Sequence, residues 1–236
     1  MNLNTIYHNT EPISLEDSKL NKYLFMGYML KLPHYRILTL HNVVNLIREK
    51  IQLPPSLLDM LKKYGRVLAI FNVVAGECCS LICRSIEGKN FFTLNKKLSI
   101  PYGIGMLSKD FKYGDTLVIC EGAADRDFLA YCYPNIVAAL NKRLSPSQLI
   151  CVLSLTNKVV LAYDCDKTGQ KSFYSDKQKL EKYGVQVSLL KHPGKDAGEA
   201  IDYAMKGDFF RFNYYVERYK NLILNGEKVK KIFQKI

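Results

Sequence analysis

The sequence predicts an α/β protein whose second half is a parallel sheet flanked by helices. Three observations carry that expectation. Four short apolar runs, "TLVIC" (116–120), "NIVAAL" (135–140), "KVVLAY" (158–163) and "VQVSLL" (185–190), alternate with helix-like patterns. The runs are continuously apolar, as strands covered on both faces are. Strands that alternate with helices favour parallel pairing. A smaller α+β part with a basic surface is expected ahead of this sheet, and a basic helical tail behind it. The expected boundaries are 1–112, 113–205 and 206–236.

Taken in order, residues 1–13 are polar and read as loosely held. "SLEDSKLNKYLFMGYMLK" reads as one helix that ends before Pro33, with Ser14 as N-cap and Asp17 three residues on. "HNVVNLIREKI" and "PSLLDMLKKYG" read as two shorter helices, the second closed by Gly65. Three β-rich runs follow, "RVLAIFNVV", "ECCSLICRSI" and "KNFFTLN", separated by the turn signals Ala75-Gly76 and Glu87-Gly88. They predict an antiparallel meander over about residues 66 to 95.

Past Gly114 the alternating strands begin. A helix is expected through "DRDFLAYC". Ser145, Pro146 and Gln148 carry the signature of a capping box with Pro at the first helical position. A helix is expected from about Gly169 to Tyr183, and "GKDAGEAIDYAM" reads as loop into helix. The tail, 206–236, has eight Lys or Arg against three acids and reads as one or two amphipathic helices.

Composition narrows the class. The chain has 236 residues, 48% of them hydrophobic, which is enough for a real core. Its 34 Lys and Arg against 22 Asp and Glu give a net charge of +12. A polyanion, nucleic acid first, is the partner such a charge suggests. The seven cysteines include no CxxC pair, so a zinc ribbon is not expected. Most lie in apolar runs, as in "CCSLIC", and free cysteines of this kind suit a reducing compartment. "MNLNTIYHNTEP" has no apolar signal core, and no run approaches the ~20 residues that span a bilayer. The expected location is the cytoplasm, with no membrane partner.

The acids are placed in a telling way. In a parallel sheet the loops at the carboxyl ends of the strands meet in one crevice. "TLVIC" ends at Glu121-Gly122, "KVVLAY" at Asp164-Cys165-Asp166, and the loop after "VQVSLL" carries Asp196. Asp125 lies one helical turn after Glu121 and can face the same way. An acid after a strand commonly caps the next helix, but this set recurs at three loops of one sheet. Close carboxylates raise each other's pKa unless a cation joins them. Oxygen ligands suit Mg²⁺ or Mn²⁺. The four histidines are scattered and make no metal set with the cysteines. Only His192 lies near the crevice, where it reads as a bystander.

This arrangement resembles the Toprim family over roughly residues 114–205. "LVICEGAADRDFLA" is similar to that family's Glu-Gly motif, and "AYDCDKTGQKS" to its Asp-x-Asp motif. "HPGKDAGEAI" looks like a segment of DnaG-type primases, and Thr168, Gly169 and Ser172 stand closer to the primase form than to the topoisomerase form. "LICRSIEGKNFFTLN" resembles the basic subdomain that precedes Toprim in primases, with Arg84 and Lys89 in its basic positions and Arg66 on the strand before.

The resemblance implies a DNA primase catalytic core or subunit, a DNA-directed RNA polymerase and nucleotidyltransferase that makes short RNA primers on single-stranded DNA. Glu121, Asp164 and Asp166 would be catalytic and, with Asp125 and Asp196, hold Mg²⁺ or Mn²⁺. Arg66, Arg84, Lys89 and Lys167 would bind nucleic acid or nucleotide. Either Phe91 or Phe92 would stack on bases and the other pack inward. Ribonucleoside triphosphates are the implied substrates, and a replicative helicase or separate template-recognition protein the implied partner. The zinc ribbon and helicase-binding domain of cellular primases are missing from the pattern, which favours a compact primase of a phage or mobile element, or a subunit that needs partners. A Toprim nuclease that cuts DNA or RNA is the alternative.

Overall fold

The structure is a computed structural model that describes residues 2–87, 90–94, 100–194 and 196–225. The chain divides into two compact units, Met1–Lys97 and Leu98–Ile236.

The first unit is an antiparallel sheet dressed by helices. Its elements are α1 (Leu3–His8), β1 (Glu11–Pro12), α2 (Leu15–Ser18), α3 (Lys22–Met29), β2 (Tyr35–Thr39), α4 (Leu40–Arg48), α5 (Pro55–Tyr64), β3 (Arg66–Val74), β4 (Glu77–Ser85) and β5 (Phe91–Leu94). The strands lie in the order β1-β2-β3-β4-β5, each antiparallel to the next. The expected meander is therefore present, joined at its first turn by Ala75 and Gly76, both at positive φ. Turns of that hand match the natural twist of a hairpin. Gly65 closes α5 at φ 71°.

Two local expectations are corrected, and one strand is new. Residues 2–13 are ordered: Asn2 caps α1, and Leu3 and Ile6 enter the core with Leu38, Leu46, Leu57 and Phe71. The single helix expected from Ser14 breaks in two, because the Asn21 side chain accepts from the amides of Tyr23 and Leu24 and starts a new helix. The Ser14–Asp17 capping box is nonetheless formed on the first piece. Finally, "YRILT", which carries no turn signal of its own, is β2, paired to β3 from Tyr35↔Ile70 to Thr39↔Arg66.

The second unit holds β6 (Thr116–Cys120), α6 (Ala123–Cys132), β7 (Ile136–Ala138), α7 (Pro146–Leu155), β8 (Lys158–Ala162), α8 (Lys167–Glu181), β9 (Gln186–Leu189), α9 (Glu199–Met205) and α10 (Phe209–Asn225). Its sheet is wholly parallel, in the order β7-β6-β8-β9, as the continuous apolar runs predicted. Leu117, Ile119, Val137, Val159, Leu161 and Phe173 are at the centre of its core. The Ser145–Gln148 capping box and Pro at the start of α7 are as expected.

This unit reaches further in both directions than the 113–205 expected for it. Upstream, Tyr102 bridges to Ala138 at the edge of the sheet and donates to Asp127 at 2.8 Å. Asp127 is buried and paired with Arg126 at 2.8 Å, whose Nε donates to the Ile136 carbonyl. Downstream, α10 packs on α9 and α6, with Phe212 and Tyr219 against Phe128. All seven cysteines are free, and burial pushes the Cys83 thiol up to about 12. Among the described residues no helix is long and apolar enough to cross a membrane.

A second buried acid anchors β8. Asp176 on α8, fully shielded from solvent, accepts from the Tyr163 hydroxyl at 2.7 Å and the Leu144 amide at 2.8 Å, and pairs with Lys179 at 2.8 Å. Asp176→Ala leaves a buried hydroxyl and amide unpaired, so a loss of about 3 kcal/mol is expected in urea unfolding. Glu16→Ala, at an exposed pair, should stay within the spread of ordinary surface changes.

Candidate active site

The strand order fixes where a ligand can bind. From β6 the chain crosses to β7 on one side and then returns to β8 on the other. The carboxyl ends of β6 and β8 thus flank the switch point of the sheet, where the following loops part and leave a crevice. The register pairs Cys120 with Ala162, so Glu121 emerges beside the start of the Asp164–Asp166 loop. The Asp164 amide donates to Glu121 Oε1 at 3.3 Å.

Glu121 is half-buried, and its carboxyl is raised above the ordinary range. Burial is the largest cause, and the negative charges of Asp164 and Asp166 add to it. The Asp164 amide and the Lys142 ammonium act in the opposite sense. Glu121, Asp164 and Asp166 therefore share one electrostatic neighbourhood. Lys142 belongs to it as well. It follows β7 in the exposed run "NKR", and its only sequence signal is a basic residue just past a strand end.

Asp166 is exposed and caps α8, its Oδ1 accepting from the amides of Thr168 and Gly169 at 2.8 Å each. The cap uses one of its two carboxylate oxygens. The position of Gly169 is fixed by contact. A Cβ there would lie 2.1 Å from the Asp164 carbonyl oxygen and 2.8 Å from its carbon, so no other residue lets α8 approach the end of β8 this closely.

Asp125 and Asp196 form a second pair of acids. Asp125 lies in the first turn of α6, where a negative charge suits the helix end. Asp196 accepts from the Glu199 amide at 3.1 Å as α9 begins. The Tyr219 phenol on α10 is raised by burial and then by the negative charges of Asp125 and Asp196. His192 stands between the two groups: its Nδ1 is 2.9 Å from the Tyr219 hydroxyl, and the Ala162 and Tyr163 backbone groups and Asp196 act on its ring.

The oxygen donors fit a small divalent cation. Among the described residues no three Asp, Glu, His or Cys converge into a closed cage. Mg²⁺ does not need one, since it retains several waters and takes one or two carboxylates plus substrate phosphates. The repulsion felt by Glu121 is what a cation would relieve. Lys167 and Cys165 are exposed beside these acids.

The basic candidates of the first unit have partners within it. Arg66 pairs with Asp17 at 2.7 Å, and the Arg84 guanidinium lies 3.7 Å from the Tyr23 ring centre. Lys89 lies outside the described residues. The two phenylalanines divide as expected: Phe92 packs against the core, and Phe91 is 67% exposed.

Comparison with known proteins agrees with this geometry. Residues 115–191 match the Toprim domain family. A DNA primase of Clostridium acetobutylicum is 33% identical over 149 residues, which is 62% of this chain. The chain spans only 24% of that relative's length. A DNA primase domain from Pseudomonas aeruginosa superposes with a TM-score of 0.53 at 16% identity, over 79% of this chain and 68% of that one. A DnaG primase catalytic domain bound to single-stranded DNA superposes at 0.50 and 19% identity, over 64% of this chain and 52% of that one. Residues 115–191 thus match the Toprim domain family, in a chain whose fold is similar to those of primase catalytic cores.

Proposed function

We propose that this chain is the catalytic core of a DNA primase, which joins ribonucleotides into short primers on a single-stranded DNA template. The observation that carries the reading is the meeting of Glu121 with Asp164 at the switch point, with Asp166 in the same electrostatic neighbourhood. The Toprim match over these residues and the 33% identity to a DNA primase support it.

Glu121, Asp164 and Asp166 would hold Mg²⁺ or Mn²⁺, with Asp125 and Asp196 binding a further ion or orienting the first set. A bound ion supplies charge neutralisation at the phosphates and favours the ionised form of an attacking hydroxyl. The chain's own part is to hold these carboxylates in fixed positions, so that little reorganisation accompanies the reaction. Gly169 and the Asp166 cap do this for the Asp-x-Asp loop. Lys142 and Lys167 offer positive charge to a triphosphate, and Arg66, Arg84 and Lys89 to the template backbone. The net charge of +12 suits such a partner. The reading also implies a replicative helicase or separate recognition protein to select the template.

The decisive assay is incubation with single-stranded DNA, ribonucleoside triphosphates and Mg²⁺ or Mn²⁺, followed by product sizing. New short RNA is expected; shortened template with no RNA would establish the nuclease alternative instead. Glu121→Ala and Asp164→Ala should each lower primer synthesis by roughly 100-fold or more, and equal activity in these variants would overturn the assignment. Gly169→Ala should lower synthesis by about tenfold or more, since α8 must shift away from Asp164, with a folded circular dichroism spectrum retained.

A further inference from the structure

The hydrogen bond between His192 and Tyr219 is not used by the mechanism above, yet it lies close to the acids of the second unit. His192 follows β9 and is 6% exposed, and Tyr219 on α10 is fully buried. The phenol oxygen is 2.9 Å from Nδ1, and the two rings meet edge to face at 5.8 Å. On the other side of the imidazole are the backbone groups of Ala162 and Tyr163, immediately before Asp164. Burial disfavours the charged imidazole, so the ring has one N–H. The backbone carbonyls draw that N–H, which leaves Nδ1 to accept the phenol proton. Among the acids, Asp125 and Asp196 act most strongly on the phenol. Its ring is braced edge to face on Phe128 of α6 at 5.7 Å, on the helix that also carries Asp125.

We propose that Tyr219 and His192 are positioning residues for the metal site, through which α10 holds the backbone before Asp164 in register with Asp125 and Asp196. This rests on the metal-binding reading of the Toprim acids. A buried phenol–imidazole bond is short and directional, so it fixes α10 against the loop after β9, and the imidazole N–H carries that hold to the backbone at the end of β8. Residues that orient ligands without touching the ion commonly change metal affinity by about 10- to 100-fold when removed.

The test is titration of the full chain with Mn²⁺ by calorimetry at 10 °C, alongside primer synthesis and near-ultraviolet circular dichroism. Tyr219→Phe keeps the ring and removes only the hydroxyl; His192→Gln removes the imidazole. Both should weaken Mn²⁺ binding by about tenfold and lower primer synthesis, with the dichroism spectrum unchanged. If both bind Mn²⁺ as wild type does, even with a lowered Tm, the pair is merely structural and the inference fails while the metal reading stands. If wild type takes up no Mn²⁺, the metal reading itself fails, and the inference with it. Should Tyr219→Phe lose its folded spectrum, His192→Gln alone decides.

Discussion

Carboxylates of like charge are forced together by the register of β6 and β8, and the second unit is organised around that repulsion. Cys120 and Ala162 are paired across the sheet, so the residues that leave those strands cannot avoid one another. Burial raises the Glu121 carboxyl and the neighbouring aspartates raise it further. A protein with no use for this charge would have placed a neutral residue there. Instead the surroundings fix the acids: an amide from Asp164 to Glu121, two helix amides to Asp166, and a glycine that brings α8 into backbone contact. The energetic cost of gathering the acids is one that a hard cation would relieve.

The buried polar networks lie below that crevice. Asp176 ties Tyr163, the residue before Asp164, to the start of α7 through the Leu144 amide. Asp127 ties Tyr102 to α6, next to Arg126, whose Nε reaches the β7 carbonyl. Each carboxylate is almost fully desolvated and fully partnered, the condition under which a buried charge is tolerated. Both networks sit within a few residues of the functional loops.

Much of this was legible in the residues, for physical reasons. Continuous apolar runs gave the parallel strands, because burial on both faces leaves no alternation. Capping boxes at Ser14 and Ser145 marked helix starts, since few residue pairs satisfy those amides. The Glu-Gly and Asp-x-Asp motifs pointed to the crevice because topology, not sequence distance, brings strand ends together. What escaped notice depended on long-range contacts. "YRILT" is too short to declare itself without β3 beside it, and Asn21 splits a helix that periodicity alone would continue. His192 looked like a bystander because its partner, Tyr219, lies 27 residues away on a helix that composition marked only as basic. Lys142 enters the acidic neighbourhood only through the fold.

The contact between Gly169 and the Asp164 carbonyl also sets what kind of change the acidic loop can absorb. Between these two residues the side chains of Cys165 and Thr168 are exposed, so their identities are open to drift. The count of residues is not. One insertion would turn the start of α8 by about a third of a rotation, swing a Cβ-bearing residue into the strand end and uncouple the cap from its aspartate. Divergence in this loop is therefore a matter of spelling rather than length.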